Sequence, residues 1–263
     1  MISPELPVAL TIAGSDSGAG AGVQADLLTF AAHGVFGTTA ITCLTAQNPD
    51  GVTAIEVLPP AFVQEEIRQV HRYFKLRALK TGMLHSAGIV TAVADFLRAQ
   101  PWIPAVVDPV MVATSGAALL DSGALAAVRE KLLPAAFLVT PNLDEVAVLL
   151  GEKPATAAAM VTAARKLAET YGVAFLVKGG HLSGDEIADV LAKPTGDVRM
   201  YTSRRVQGVD THGSGCTLSA AVAANLAKGM VLDDAVEAAR GYLLRALERG
   251  LVVGGRRFIN HRP

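Results

Sequence analysis

The stretch Thr211-His-Gly-Ser-Gly-Cys-Thr-Leu-Ser219 combines glycines, hydroxyls and a thiol ahead of an Ala-rich run. A helix opening there presents free backbone N–H groups and the positive end of its dipole. Gly213, Ser214 and Gly215 therefore suit an anion, in particular a phosphoryl group in transit. Cys216 falls in the first turn, where negative charge on sulfur would be stabilised. A glycine loop that serves packing alone, with a buried cysteine, would read the same way.

Four further constellations accompany it. The turn Ala13-Gly-Ser-Asp-Ser-Gly-Ala-Gly-Ala-Gly-Val-Gln-Ala-Asp26 follows an apolar run and opens a helix. It is not a dinucleotide fingerprint: Val23 stands where the third glycine should be, and Asp26 comes too early for the ribose acid. It instead lets backbone approach a flat ligand that Asp26 could hydrogen-bond; Asp26 also suits a first-turn acid facing the helix dipole. In Pro141-Asn-Leu-Asp-Glu145, Asn142 and Glu145 share a helical face and could meet Mg2+ through its waters, or form a capping box. Lys178, at the end of the apolar run Phe175-Leu-Val, can reach a phosphate as a point charge. Gln47, in Thr45-Ala-Gln-Asn48, offers a donor and an acceptor that match the edge of an aminopyrimidine or pyridine, with Met83 considered beside it.

The elements that must position these residues alternate along the 263-residue chain. Short apolar runs at 8–13, 38–45, 77–80, 105–108, 137–140 and 174–178 read as strands. Helical patterns fall at 23–33, 62–74, 86–99, 121–133, 143–150, 156–171, 213–228 and 233–249. Residues 187–192 and 199–207 resemble an antiparallel pair. This alternation predicts an α/β fold with a mostly parallel sheet, helices on both faces and an antiparallel edge. Gly14, Gln47, Met83, Asp108, Val110, Asn142 and Lys178 then follow strands, on the rim where such sheets bind ligands. No linker, composition break or repeat divides the chain, so a single domain over residues 1–263 is expected.

Apolar residues make up 51% of the chain and net charge is −1, which excludes disorder and gives no basic patch for nucleic acid. No apolar run reaches the ~18 residues that a membrane span needs. Cys43 and Cys216 show neither metal nor disulfide spacing, which points to a reduced, cytoplasmic setting.

Taken in order, Thr11–Gly18 with Gly22–Asp26, Ala40-Ile-Thr with Leu44–Asn48, Lys80–Met83, Asp108–Val112, Thr140–Leu143, Val177–His181 and Thr211–Ser219 resemble the hydroxymethylpyrimidine/phosphomethylpyrimidine kinases of thiamine synthesis, within the ribokinase-like superfamily. The resemblance implies a three-layer αβα sandwich, usually dimeric. It implies that ATP and Mg2+ phosphorylate 4-amino-5-hydroxymethyl-2-methylpyrimidine, and then its monophosphate to the diphosphate. Asp26, Gln47, Gly14, Met83 and Val110 match pyrimidine-contacting positions. Lys178 and Thr211 match phosphate-side positions, with Asp108 beside them, and Asn142 with Glu145 the Mg-phosphate motif. Cys216 stands where most superfamily members carry an aspartate base. Four features depart from the pattern: Thr114 stands where a lysine is expected, Ala19 and Ala21 interrupt the glycines of the helix-opening loop, Pro49 follows Gln47-Asn48, and the C-terminal ten residues do not align. A pyridoxal kinase of the same superfamily is the nearest alternative, against which Gln47 argues; a non-catalytic pyrimidine-binding protein is another.

Overall fold

A computed structural model of the protein describes residues 5–111, 120–121, 123–180, 182 and 184–263. Val112, Thr114 and His181 lie outside the described residues. In chain order the elements are β1 (Val8–Asp16), α1 (Gly22–Ala32), β2 (Phe36–Asn48), β3 (Gly51–Val57), α2 (Pro60–Tyr73), β4 (Leu76–Thr81), α3 (Ala87–Ala99), β5 (Ala105–Val107) and α4 (Ala124–Ala127). There follow β6 (Leu138–Val139), α5 (Leu143–Leu150), α6 (Ala157–Tyr171), β7 (Ala174–Lys178), β8 (Glu186–Ala192), β9 (Val198–Arg204), α7 (Ser214–Ala227), α8 (Leu232–Glu248), β10 (Leu251–Val253) and β11 (Arg256–Phe258).

Nine strands form one sheet in the order β3-β2-β1-β4-β5-β6-β7-β8-β9. β2 through β7 run parallel, while β3 at one edge and β8 and β9 at the other are antiparallel. Both edges are therefore antiparallel, where the sequence suggests only the late one. β3 escapes the sequence reading because it is an edge strand with an exposed pattern and no buried face. β1 also runs past Gly14 to Asp16, kinked by a bulge between Ala13 and Ser15.

Alternation along the strands builds two apolar layers. Leu10, Leu79, Val107, Val139 and Phe175 face one layer with α2, α3, α5 and α6. Ala9, Ala78, Val106, Leu138 and Leu176 face the other, with α1, α7 and α8. α7 is buried from Thr217 to Ala227, and its alanines let it lie close against β1, β4 and β5. Helix ends follow local rules: Ser86 and Thr156 accept from the Ile89 and Ala159 N–H groups, and Gly151 and Gly172 close α5 and α6 in the left-handed region. Asp121 accepts from the Gly123 and Ala124 N–H groups ahead of α4. Among the described residues no helix is long and apolar enough to cross a membrane.

Strand order reverses between β2-β1 and β4-β5, so the topological switch point lies beside β1 and β4. The start of α7 packs over it.

Candidate active site

α7 opens at Ser214 behind Gly213, which has φ +82°. A Cβ on Gly213 would stand 1.8 Å from the Gly20 carbonyl oxygen, so both the conformation and the space require glycine. The Ser214 N–H donates to Thr211 O and the Thr217 N–H to Gly213 O. Among the described residues, the Gly215 and Cys216 N–H groups meet no backbone acceptor, and no side chain caps the helix. Two first-turn donors, on Gly215 and Cys216, are thus left open to an anion; of the expected set Gly213, Ser214 and Gly215, Ser214 spends its N–H on Thr211 O. Thr211 is exposed and contributes its carbonyl to the turn.

Two charged clusters flank this helix start. On one side Lys178 Nζ lies 2.9 Å from Asp108 Oδ1. Asp108 also accepts from Thr140 at 3.3 Å and Ser219 at 3.4 Å. A Cβ on Gly215 would sit 3.2 Å from Lys178 Nζ, so the lysine stands directly over the anion turn. Burial pulls Lys178 down, but Asp108, Glu145 and Cys216 outweigh it and hold the ammonium above its ordinary range.

Glu145 and Asn142 form a reciprocal capping box on α5: Asn142 Oδ1 accepts from the Asp144 and Glu145 N–H groups, and Glu145 Oε2 accepts from the Asn142 N–H. Burial pushes Glu145 up to about 7, with Asp108 adding to the rise and Lys178 opposing it. The folded protein then keeps a proton that the unfolded chain releases near 4.5. Stability from this group is present below that value and is lost as pH climbs to about 7, by on the order of 3 kcal/mol. Glu145→Gln should remove that slope: the variant gains on the parent by about this amount between pH 4.5 and 8 in urea unfolding. A stability difference that stays constant with pH would contradict the buried-carboxyl assignment.

On the other side, Lys80 Nζ donates to Asp26 Oδ2 at 2.8 Å, and Thr11 Oγ1 to the same oxygen at 2.6 Å. Both charged side chains are 0% exposed. Asp26 is therefore not a surface acid at the helix start; it is half of a buried ion pair at the switch point, and its Oδ1 has no partner. Burial lowers Lys80, but Asp26, Cys216 and Asp108 reverse this and hold the ammonium firmly charged. Sequence reasoning carried Lys80 only as part of a motif. A lysine near the end of the short strand Leu76–Thr81 was the available signal, weaker than for Lys178 because Arg77 shares the strand.

Cys216 lies between the clusters and is partly exposed. Burial pushes its thiol up to about 11, with the carboxylates of Asp26 and Asp108 adding to the rise; Lys80 and the Gly22 N–H pull it back. The expectation of a stabilised thiolate thus meets an opposing effect: desolvation outweighs the helix end and favours the protonated thiol.

The glycine turn reaches the same place. A Cβ on Gly22 would stand 2.4 Å from Gly14 O, and one on Gly14 would stand 2.8 Å from Cys43 Sγ and 3.8 Å from Met83 Cβ. Gly14, Met83, Asp26 and Cys216 thus share one neighbourhood. Gln47 joins it through His212, whose Nε2 stands 3.0 Å from the Gln47 amide. Val110 is tied in only through its N–H on Asp108 O. Sequence reasoning also missed Asp16. It accepts from the Gly18, Gly20 and Ala21 N–H groups at 2.8–3.1 Å and from His212 Nε2 at 3.1 Å. The unaligned C-terminus braces these loops: the Asp210 N–H donates to Arg257 O, and Arg256 pairs with Asp50 at the β2–β3 turn. Among the described residues no cluster of three or more His, Cys, Asp or Glu is arranged to hold a metal.

A glycine turn at a helix start over the switch point of a mostly parallel sheet, flanked by the buried Lys80 and by Lys178, is an arrangement suited to a small-molecule phosphotransferase. The family model described as phosphomethylpyrimidine kinase matches residues 16–260. A hydroxymethylpyrimidine/phosphomethylpyrimidine kinase of Rhizobium meliloti is 47% identical over 258 residues, covering 97% of this chain and 96% of that protein. The ADP complex of Bacillus subtilis pyridoxal kinase superposes with a TM-score of 0.89 at 32% identity, covering 98% of each chain. The phosphomethylpyrimidine kinase of Clostridium difficile gives 0.81 at 35% identity, covering 92% of this chain and all of that one. The chain belongs to the phosphomethylpyrimidine kinase family.

Proposed function

We propose that the protein transfers the γ-phosphoryl of ATP to the hydroxymethyl group of 4-amino-5-hydroxymethyl-2-methylpyrimidine, and then phosphorylates the monophosphate to the diphosphate, in thiamine biosynthesis. The observation that carries this reading is the convergence of the Gly213–Gly215 turn, Lys178 with Asp108, and Cys216 beside the Lys80–Asp26 pair. Phosphoryl transfer needs mostly positioning and charge stabilisation. The first-turn N–H groups of α7 would receive the phosphoryl oxygens and Lys178 would neutralise them. Asp26, through its unpartnered Oδ1, and Gln47 would hold the ring edge beside Gly14, Met83 and Val110. Cys216, once ionised, would accept the hydroxyl proton.

The Glu145 and Asp108 carboxylates are oxygen donors that fit a Mg2+ arriving on the triphosphate with its waters. Mg2+ bound there would neutralise charge on the transferring phosphates. Glu145 would meet its waters; Asn142 Oδ1 is committed to the α5 cap, so its part is to hold Glu145. We further take the chain to act as a single kinase domain over residues 1–263, as a homodimer and in the cytoplasm; its two free cysteines suit a reducing compartment.

Incubation with ATP, Mg2+ and hydroxymethylpyrimidine, followed by mass spectrometry, is expected to show the monophosphate and then the diphosphate. Turnover of pyridoxal alone would overturn the reading.

A further inference from the structure

We propose that His212 is a positioning residue for the substrate ring: it sets which end of the Gln47 amide faces the site and ties the glycine turn 17–21 to the start of α7. This rests on the reading that Gln47 contacts the pyrimidine.

His212 Nε2 is 3.1 Å from Asp16 Oδ2 and 3.0 Å from the end of the Gln47 amide assigned as Nε2, an O/N assignment that the hydrogen-bond network has to decide. The Asp16 carboxylate already accepts three backbone N–H groups of the glycine turn and is 4% exposed. An ionised carboxylate only accepts, so Nε2 must carry a proton. An amide beside that same N–H then has to turn its carbonyl oxygen to the ring. Turned in this way, the Gln47 amino group takes the place of Oε1, 3.1 Å from Thr45 Oγ1. That hydroxyl donates its own proton to Ser15 O at 2.9 Å, so it is free to accept here. The amide is thereby locked in one of its two orientations, with a remaining N–H and a remaining lone pair for a ligand.

The ring of His212 is itself placed by tight contacts. Its backbone N–H donates to Asp210 Oδ1 at 2.9 Å. A Cβ on Gly20 would stand 2.7 Å from His212 Cδ2, so the ring lies against bare backbone. At 31% side-chain exposure it is a wall of the open site rather than part of the core.

An unlocked amide can offer its two ends in either order, which costs both affinity and discrimination between an amino/ring-nitrogen edge and a different ring. His212→Phe keeps the ring but removes the donor. It is expected to raise KM for hydroxymethylpyrimidine about tenfold, and to lower the pyrimidine-to-pyridoxal ratio of kcat/KM by a similar factor. His212→Gln restores an N–H donor and should recover most of both. KM and the ratio do not depend on how much enzyme is folded, so a destabilised variant still reports. If His212→Phe does not fold, Thr45→Val frees the amide from its other end and should move both quantities the same way. Gln47→Ala run in parallel separates the two levels. A raised KM in Gln47→Ala with none in His212→Phe overturns the role of His212 alone. An unchanged KM in Gln47→Ala overturns both.

Discussion

Replacing Lys80 with methionine is expected to cost the fold about 3–5 kcal/mol, among the largest effects of any single substitution in the site. Lys80 and Asp26 are both 0% exposed, and among the described residues Asp26 has as partners only the lysine and the Thr11 hydroxyl, both on one oxygen. Without the ammonium, a carboxylate remains at the switch point with Oδ1 already unpartnered. Such a group escapes by taking up a proton, so the loss should be smaller at pH 5 than at pH 8. The double variant Lys80→Met with Asp26→Leu removes both charges and should recover much of the stability, because apolar replacement of a buried pair is often neutral. Urea unfolding at the two pH values measures all of this. A Lys80→Met loss under 1 kcal/mol at pH 8 would mean that the pair is not desolvated as described. Activity should fall as well, since Lys80 pulls the Cys216 thiol down.

The second large effect is on turnover. Cys216→Ala should lower kcat by roughly 10²–10⁴-fold if the thiolate accepts the hydroxyl proton, the usual contribution of a positioned base. The pH dependence gives the sharper test. With the thiol pushed up to about 11, only a small fraction is ionised at neutral pH. The rate of the parent should therefore rise with pH through the range 7–9, approaching tenfold per unit, because each step multiplies the thiolate population. In Cys216→Ala that rise should vanish. If the variant turns over like the parent, the helix start works by anion binding alone and the proton leaves by another route. Circular dichroism melting of the same sample separates a catalytic loss from a folding loss.

Much of the frame was legible along the chain. α5 and β7 fall at the positions their patterns indicate, Leu143–Leu150 and Ala174–Lys178, because an Asn cap, a terminal glycine and an unbroken apolar run are local signals. The caps at Ser86 and Asp121 were legible for the same reason. β3 was missed although Val52, Ile55 and Val57 are β-branched, because an exposed edge strand has no buried face to impose a clean alternation. The Asn142–Glu145 pair was legible as a cap and as a phosphate-side motif, and its cap is present.

Apart from β3, β10 and β11, the order of strands and helices, the glycines of the anion turn and the residues that follow each strand were determined by sequence alone, since each depends on neighbours a few positions away. Tertiary structure alone decided the partners and charge states at the site. His212 meets Asp16 across 196 positions and Lys80 meets Asp26 across 54. Cys216 reads as a thiolate from its place at a helix start, yet desolvation and the nearby Asp26 and Asp108 carboxylates favour the protonated thiol. Pairing and desolvation depend on distance and burial in three dimensions, and neither is written in the spacing of residues along the chain.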